Sequence, residues 1–221
     1  MKTYLISKNI PESKIFVTGI PISSRFLQKF DRKQIFDELN LKDNRKTILF
    51  FGGGEFGLGK AKTFEIFETL VENFNDIQII AISGKNEKMK LKFEKIVEKY
   101  SKQDYVKVLE YTNKVPELMS ISDLVVTKPG GLTTSESLAS NLPMVIINPI
   151  PGQEEENAEF LEEKHIGIWI RKNDSGYEVF KDLLYDDEKL KQMKLNTSLL
   201  SKRNSTEDIC RIMLTFKTNN L

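Results

Sequence analysis

The feature that most constrains this chain is an alternation. Short, uninterrupted apolar runs are separated by longer charged stretches with helical spacing. Residues 47–51, 77–82, 106–109, 124–127, 144–147 and 168–170 are strand-length runs rich in Val, Ile, Leu and Phe, without the in/out alternation of a half-wet sheet. Continuous apolar strands are covered on both faces, as in a parallel sheet. Helical patterns fill 31–39, with Asp31 as N-cap, then 60–73, 87–100, 115–120, 133–140, 154–165 and most of the remainder to 216. A further strand is expected at 15–18, stopped by Gly19-Ile20-Pro21. Strand–helix repetition at this spacing makes right-handed βαβ units, so the expected fold is α/β, a Rossmann-like doubly wound parallel sheet.

Length and charge limit what such a sheet serves. The 221 residues suffice for one large α/β domain with a substantial core. Lys and Arg total 33 against 32 Asp and Glu, which gives no basic excess of the kind nucleic-acid binding needs. The single cysteine, Cys210, rules out a disulfide within the chain, and its helical setting reads as a small packed residue in a cytoplasmic protein. The apolar runs are far shorter than the ~20 residues of a membrane-spanning helix.

In doubly wound sheets, ligands sit beyond the carboxyl ends of the strands. Three loops there carry chemistry. Phe51-Gly52-Gly53-Gly54-Glu55-Phe56-Gly57-Leu58-Gly59 joins a strand to a helix and suits either a tight turn or close approach of an anion to backbone N–H groups. Its spacing matches neither a Walker A loop nor the dinucleotide fingerprint. The second strand ends Ala81-Ile82-Ser83-Gly84 with no acidic residue, which argues against a dehydrogenase. In Thr127-Lys128-Pro129-Gly130-Gly131-Leu132-Thr133-Thr134-Ser135-Glu136, the glycines expose the first amides of a helix that Thr133 or Thr134 can cap. Glu136 is placed to accept hydrogen bonds from a ribose diol. Lys128 either adds charge beside phosphates or faces solvent. Pro149-Ile150-Pro151-Gly152-Gln153-Glu154-Glu155-Glu156-Asn157 is a stiff turn that brings hydroxyl-reading side chains to the same mouth, although acidic residues in a first helical turn also complement the dipole. Tyr111-Thr112, after the third strand, could meet a base. Together the loops suit a diphosphate carried by polyols. There is no Asp-x-Asp pair and no metal-ligand spacing. His165, the chain's single histidine, reads as a helix-terminal residue, and Trp169 as core.

Val17-Thr18-Gly19-Ile20-Pro21-Ile22, the 52–59 loop, the segment around Lys128 and Asn148-Pro149-Ile150-Pro151-Gly152-Gln153-Glu154 resemble processive diacylglycerol glucosyltransferases and monogalactosyldiacylglycerol synthases, which are similar in turn to the peptidoglycan N-acetylglucosamine transferase. The resemblance implies the C-terminal half of a GT-B fold that binds a UDP-sugar without metal or other cofactor. It implies donor contacts from Gly53, Gly54, Phe56, Gly57 and Lys128, and a diphosphate on Gly130, Gly131, Leu132 and Thr133. It implies ribose on Glu136, sugar hydroxyls on Gly152, Gln153 and Glu154 with Asn157 in support, and uracil near Tyr111 and Thr112. The implied reaction is an inverting hexose transfer to diacylglycerol or a glycosyl-diacylglycerol, at the inner face of the plasma membrane. Other UDP-sugar enzymes of the same fold, such as the peptidoglycan N-acetylglucosamine transferase or a UDP-GlcNAc 2-epimerase, and a non-catalytic nucleotide-sugar-binding subunit that needs a partner chain are the alternatives. The family pattern also implies an N-terminal acceptor domain with the catalytic base, which these residues do not match. Residues 1–13 are then expected to be interdomain chain, 14–200 the donor domain and 201–221 a C-terminal helix and frayed tail. The chain would be an isolated domain, a shortened reading frame or one part of a split enzyme.

Overall fold

The computed structural model describes residues 2–53 and 60–218. Within them, one parallel sheet is built from β1 (Lys46–Phe51), β2 (Ile77–Ile82), β3 (Val106–Leu109), β4 (Leu124–Thr127), β5 (Met144–Ile146) and β6 (Gly167–Trp169). The strand order is β3-β2-β1-β4-β5-β6. The chain winds outward from β1 to β3, then returns to the other side of β1 and winds the opposite way. The reversal lies between β1 and β4, where Ile48, Leu49 and Phe50 pair with Leu124, Val125 and Val126.

The continuous apolar runs divide by strand periodicity between two cores. Ile48 and Phe50 of β1, Ile79 and Ala81 of β2, and Leu124 and Val126 of β4 face one core. It is closed by α3 (Lys60–Asn73), α4 (Glu87–Lys99), α8 (Gly176–Leu184) and α9 (Asp187–Leu200). Phe50, Phe67 and Phe93 pack together at its centre, with the Phe67 and Phe93 rings 4.2 Å apart. Leu49, Ile80, Val125 and Ile146 face the second core, under α2 (Arg32–Leu39), α5 (Val115–Ile121), α6 (Gly131–Ala139) and α7 (Gln153–Glu163). Asp31 does cap α2, accepting from the Gln34 amide at 3.2 Å. His165 ends α7 in the left-handed region, at φ 52°.

Polar side chains fasten the amino ends of the strands. Gln78 is buried; its amide group donates to Thr47 Oγ1 at 2.8 Å and to the Lys42 carbonyl, and its oxygen accepts from the Lys42 amide. Asp123 accepts from the Thr47 amide at 2.9 Å and from Lys194 Nζ at 2.8 Å.

The structure corrects the sequence reading in several places. Residues 15–18 form no strand: the segment pairs with nothing, exposes Phe16 and Val17, and runs beside α10 (Ser205–Thr218), where Phe16 meets the Phe216 ring. Gly19 fixes that course. With φ at +84°, any Cβ there would lie 2.6 Å from Ser205 Oγ and 2.7 Å from Lys202 Cβ. The C-terminal helical stretch is three helices, interrupted where Asp186 caps α9 and again at 201–204. Cys210 sits exposed on α10 and is not a packed core residue. At the other end of the chain, α1 (Lys2–Ser7) buries none of its residues. The expected fraying of Asn219-Asn220-Leu221 concerns residues outside those described.

Candidate functional site

Three segments meet at the carboxyl edge of the sheet where its winding reverses. After β1 the chain passes through Gly52 and Gly53. A Cβ on Gly52 would lie 2.1 Å from Met89 Sδ, and Gly53 has open space but adopts φ +95°, where an L side chain is strained. After β2 it turns at Gly84, and after β4 Lys128-Pro129 leads into Gly130, the N-cap of α6. These segments bound a cavity of about 260 Å³. Gly53, Gly84, Lys128, Gly130, Thr133 and Glu154 line its mouth, over a floor of Phe51, Ile82 and Thr127.

The start of α6 decides what the cavity can hold. The helix begins at Gly131, two residues earlier than expected, so Thr133 and Thr134 lie inside its first turn and cap nothing. Gly130 has no side chain to cap with, and its carbonyl already accepts from the Thr134 amide at 2.9 Å. The amides of Gly131, Leu132 and Thr133 have no acceptor among the described residues. Unpaired N–H groups at the positive end of a helix dipole are an anion site in waiting. Glu136 follows one turn later, half-buried, and that burial pushes its carboxyl above the usual carboxylate value.

The start of α7 supports the same ground. Gly152 takes φ +96°, and the acidic first turn folds back on the loop before it. Glu154 Oε2 accepts from the Ile150 amide at 2.7 Å, and Glu155 Oε2 from the Gly152 amide at 3.3 Å. Asn157 Nδ2 donates to the Pro129 carbonyl at 2.8 Å, fastening α7 to the loop that presents Gly130.

Of the residues expected from sequence, Gly53, Lys128, Gly130, Thr133 and Glu154 share the cavity, with Gly131 at the helix start beside it. Leu132, Gly152 and Gln153 are exposed, Glu136 and Asn157 are half-buried, and none of the five lines the cavity. Tyr111 and Thr112 are not brought into it. Thr112 lines a separate cavity of about 220 Å³ between α2 and α5, with Phe30, Leu109 and Leu118. Tyr111 is 68% exposed, with Lys85 Nζ 5.5 Å from its ring centroid. Gly54, Phe56 and Gly57 lie outside the described residues. Gly84 and Ile82 were missed as lining residues; their signal was a Ser-Gly pair directly after a parallel strand, next to the winding reversal. His165 lies at the amino edge of β6, remote from this cavity. Among the described residues, no three His, Cys, Asp or Glu side chains gather as a metal site.

Comparisons place this architecture among known proteins. A family model described as glycosyl transferases group 1 matches residues 31–199. The processive diacylglycerol beta-glucosyltransferase of Bacillus licheniformis is 33% identical over 209 residues, 95% of this chain and 53% of that protein. The chain thus spans about half the length of the curated relatives it matches. Among solved structures, the UDP-GlcNAc 2-epimerase of Neisseria meningitidis bound to UDP-GlcNAc aligns with a TM-score of 0.69 at 18% identity, over 97% of this chain and 58% of that one. Acinetobacter baumannii MurG aligns with a TM-score of 0.65 at 18% identity, over 89% of this chain and 57% of that one. At such identities the structures speak for the shared Rossmann-like fold alone.

Proposed function

The chain belongs to the glycosyl transferases of group 1, and from that premise we propose that it is the donor-binding part of a UDP-sugar-dependent hexosyltransferase acting on diacylglycerol or a glycosyl-diacylglycerol. One observation carries the reading: the α6 N-terminus opens, with no acceptor for its first amides among the described residues, into a cavity at the winding reversal of the sheet. A diphosphate fits there. The amides of Gly131, Leu132 and Thr133 neutralise it together with the helix dipole and Lys128, so no metal ion is needed. Glu136 takes the ribose hydroxyls, and Gln153 and Glu154 the sugar. The cavity beside Thr112 is the place for the base. Catalysis by such a part is electrostatic: amides fixed in advance stabilise the charge that builds on the departing diphosphate. An inverting transfer also needs a base to take the acceptor's proton, and this cavity has no histidine to supply it.

The relatives favour a glycolipid product over an epimerase, since they match at 33% identity and the epimerase at 18%. Among the described residues no helix is long and apolar enough to cross a membrane. We place the intact enzyme on the inner membrane surface, where its acceptor lies.

Calorimetric titration with UDP, UDP-glucose, UDP-galactose and UDP-GlcNAc, in EDTA, tests the proposal. Binding should survive EDTA and weaken on the order of tenfold or more in Glu136→Ala, the usual scale for losing a charged hydrogen-bond partner. Binding that appears only with added divalent metal, or none by a folded chain, contradicts it.

A further inference from the structure

Glu154 stands where the proposed ligand has to go. Its Oε2 is held by the Ile150 amide at 2.7 Å. Its Oε1 would lie 3.7 Å from a Cβ on Gly130, which puts a carboxylate oxygen beside the residue that caps α6. The same side chain lines the cavity with Thr133 and Lys128. A carboxylate therefore shares the anion ground that the α6 amides create, and a second anion entering there meets a like charge a few ångströms away.

We propose that Glu154 sets the charge selectivity of this site, favouring a diphosphate whose terminal phosphate carries a sugar over a free nucleoside diphosphate. The inference rests on the donor reading above. A glycosylated β-phosphate presents one negative charge, and beyond it hydroxyl groups that donate to a carboxylate. A free β-phosphate presents up to two charges and no such donors. Glu154 thus repels the spent nucleotide more than the donor, which limits inhibition by the released diphosphate. Reading of sugar hydroxyls alone, with no charge discrimination, would leave the affinity for free UDP independent of this carboxylate.

The experiment compares wild type with Glu154→Gln in calorimetric titrations with UMP, UDP and UDP-glucose. Glutamine keeps an oxygen to accept from the Ile150 amide, so the turn is retained and only the charge is removed. UDP should tighten roughly five- to tenfold, the scale of one screened like-charge contact. UMP should stay within about twofold, and UDP-glucose should not tighten. Glu154→Ser, also uncharged, must move UDP in the same direction. Glu155→Gln removes a charge from the same helical turn outside the cavity and should leave the UDP to UDP-glucose ratio at its wild-type value. If UDP tightens no more than UMP in either Glu154 variant, the charge selectivity is overturned while the donor reading stands. If the folded wild-type chain binds none of the three nucleotides, the donor reading fails and the selectivity falls with it.

Discussion

The two edges of the sheet are built on opposite plans. At the amino edge polar side chains tie the chain to itself: Gln78 satisfies Thr47 and Lys42, and Asp123 joins the Thr47 amide to Lys194. At the carboxyl edge Gly53, Gly84 and Gly152 take positive φ, and the first amides of α6, beside a cavity, have no acceptor among the described residues. One edge lowers the energy of the folded chain. The other keeps polar groups unsatisfied so that a ligand can satisfy them. The difference teaches that stability and binding are separable here, and substitutions at the two edges should move different quantities.

The largest effect is expected at the amino edge. Gln78→Ala strands the buried Thr47 hydroxyl and removes the partner of the Lys42 amide and carbonyl, which should cost about 1–3 kcal/mol in urea unfolding. UDP affinity should stay within about twofold, the range of an uncoupled distant site. A matching loss of affinity would break the separation of the edges. Gly130→Ala is the converse. Its φ of −63° and the 3.7 Å gap to Glu154 accept a methyl group, so the melting temperature should hold. The methyl stands in the cavity, and UDP should weaken on the order of tenfold.

Asn157→Ala sharpens the comparison, because this side chain serves both quantities. Losing its bond to the Pro129 carbonyl should cost about 1 kcal/mol of stability. The loop presenting Gly130 loosens, so UDP affinity should fall several-fold with it. An affinity unchanged in calorimetry would mean that the loop needs no fastening from α7.

The smallest effect is a pH-dependent one at Glu136. Burial raises its folded carboxyl above its unfolded value, so ionisation opposes folding. Its stability contribution is intact below the unfolded value and is lost as pH rises through the folded one. Glu136→Gln should therefore melt higher than wild type at neutral pH, with the gain fading as pH falls below the carboxylate range. A gain independent of pH would point to packing instead.

Much of this was legible in the sequence. The runs at 77–82, 106–109 and 124–127 became strands with those bounds because burial on both faces leaves no alternating pattern to misread. Residues 15–18 carry the same composition, yet strand formation needs a neighbour, and that segment runs beside α10 and Lys202 instead. The Gly130-Gly131 loop was legible because glycine at a strand–helix junction has a local physical meaning. The start of α6 was misplaced because threonine is a good N-cap, and nothing local shows that glycine takes the position here. Asn157 was expected to support the sugar-reading residues. Its bond to Pro129, 28 residues earlier, is a tertiary contact that spacing cannot encode. Spacing also does not show that Tyr111 and Thr112 stand apart from the cavity at the reversal: both follow β3, the outermost strand on its side, and Thr112 lines a second cavity beside α2 and α5.

The most direct test of the two-edge account is an amide proton–nitrogen NMR spectrum of the isotope-labelled chain, recorded during titration with UDP in EDTA. The account predicts that the amides of Gly53, Gly130, Gly131, Leu132 and Thr133 shift most, while those of Thr47, Gln78 and Asp123 stay in place. Shifts centred on the amino edge, or a folded chain whose Gly130–Thr133 amides do not move at saturating UDP, would contradict it.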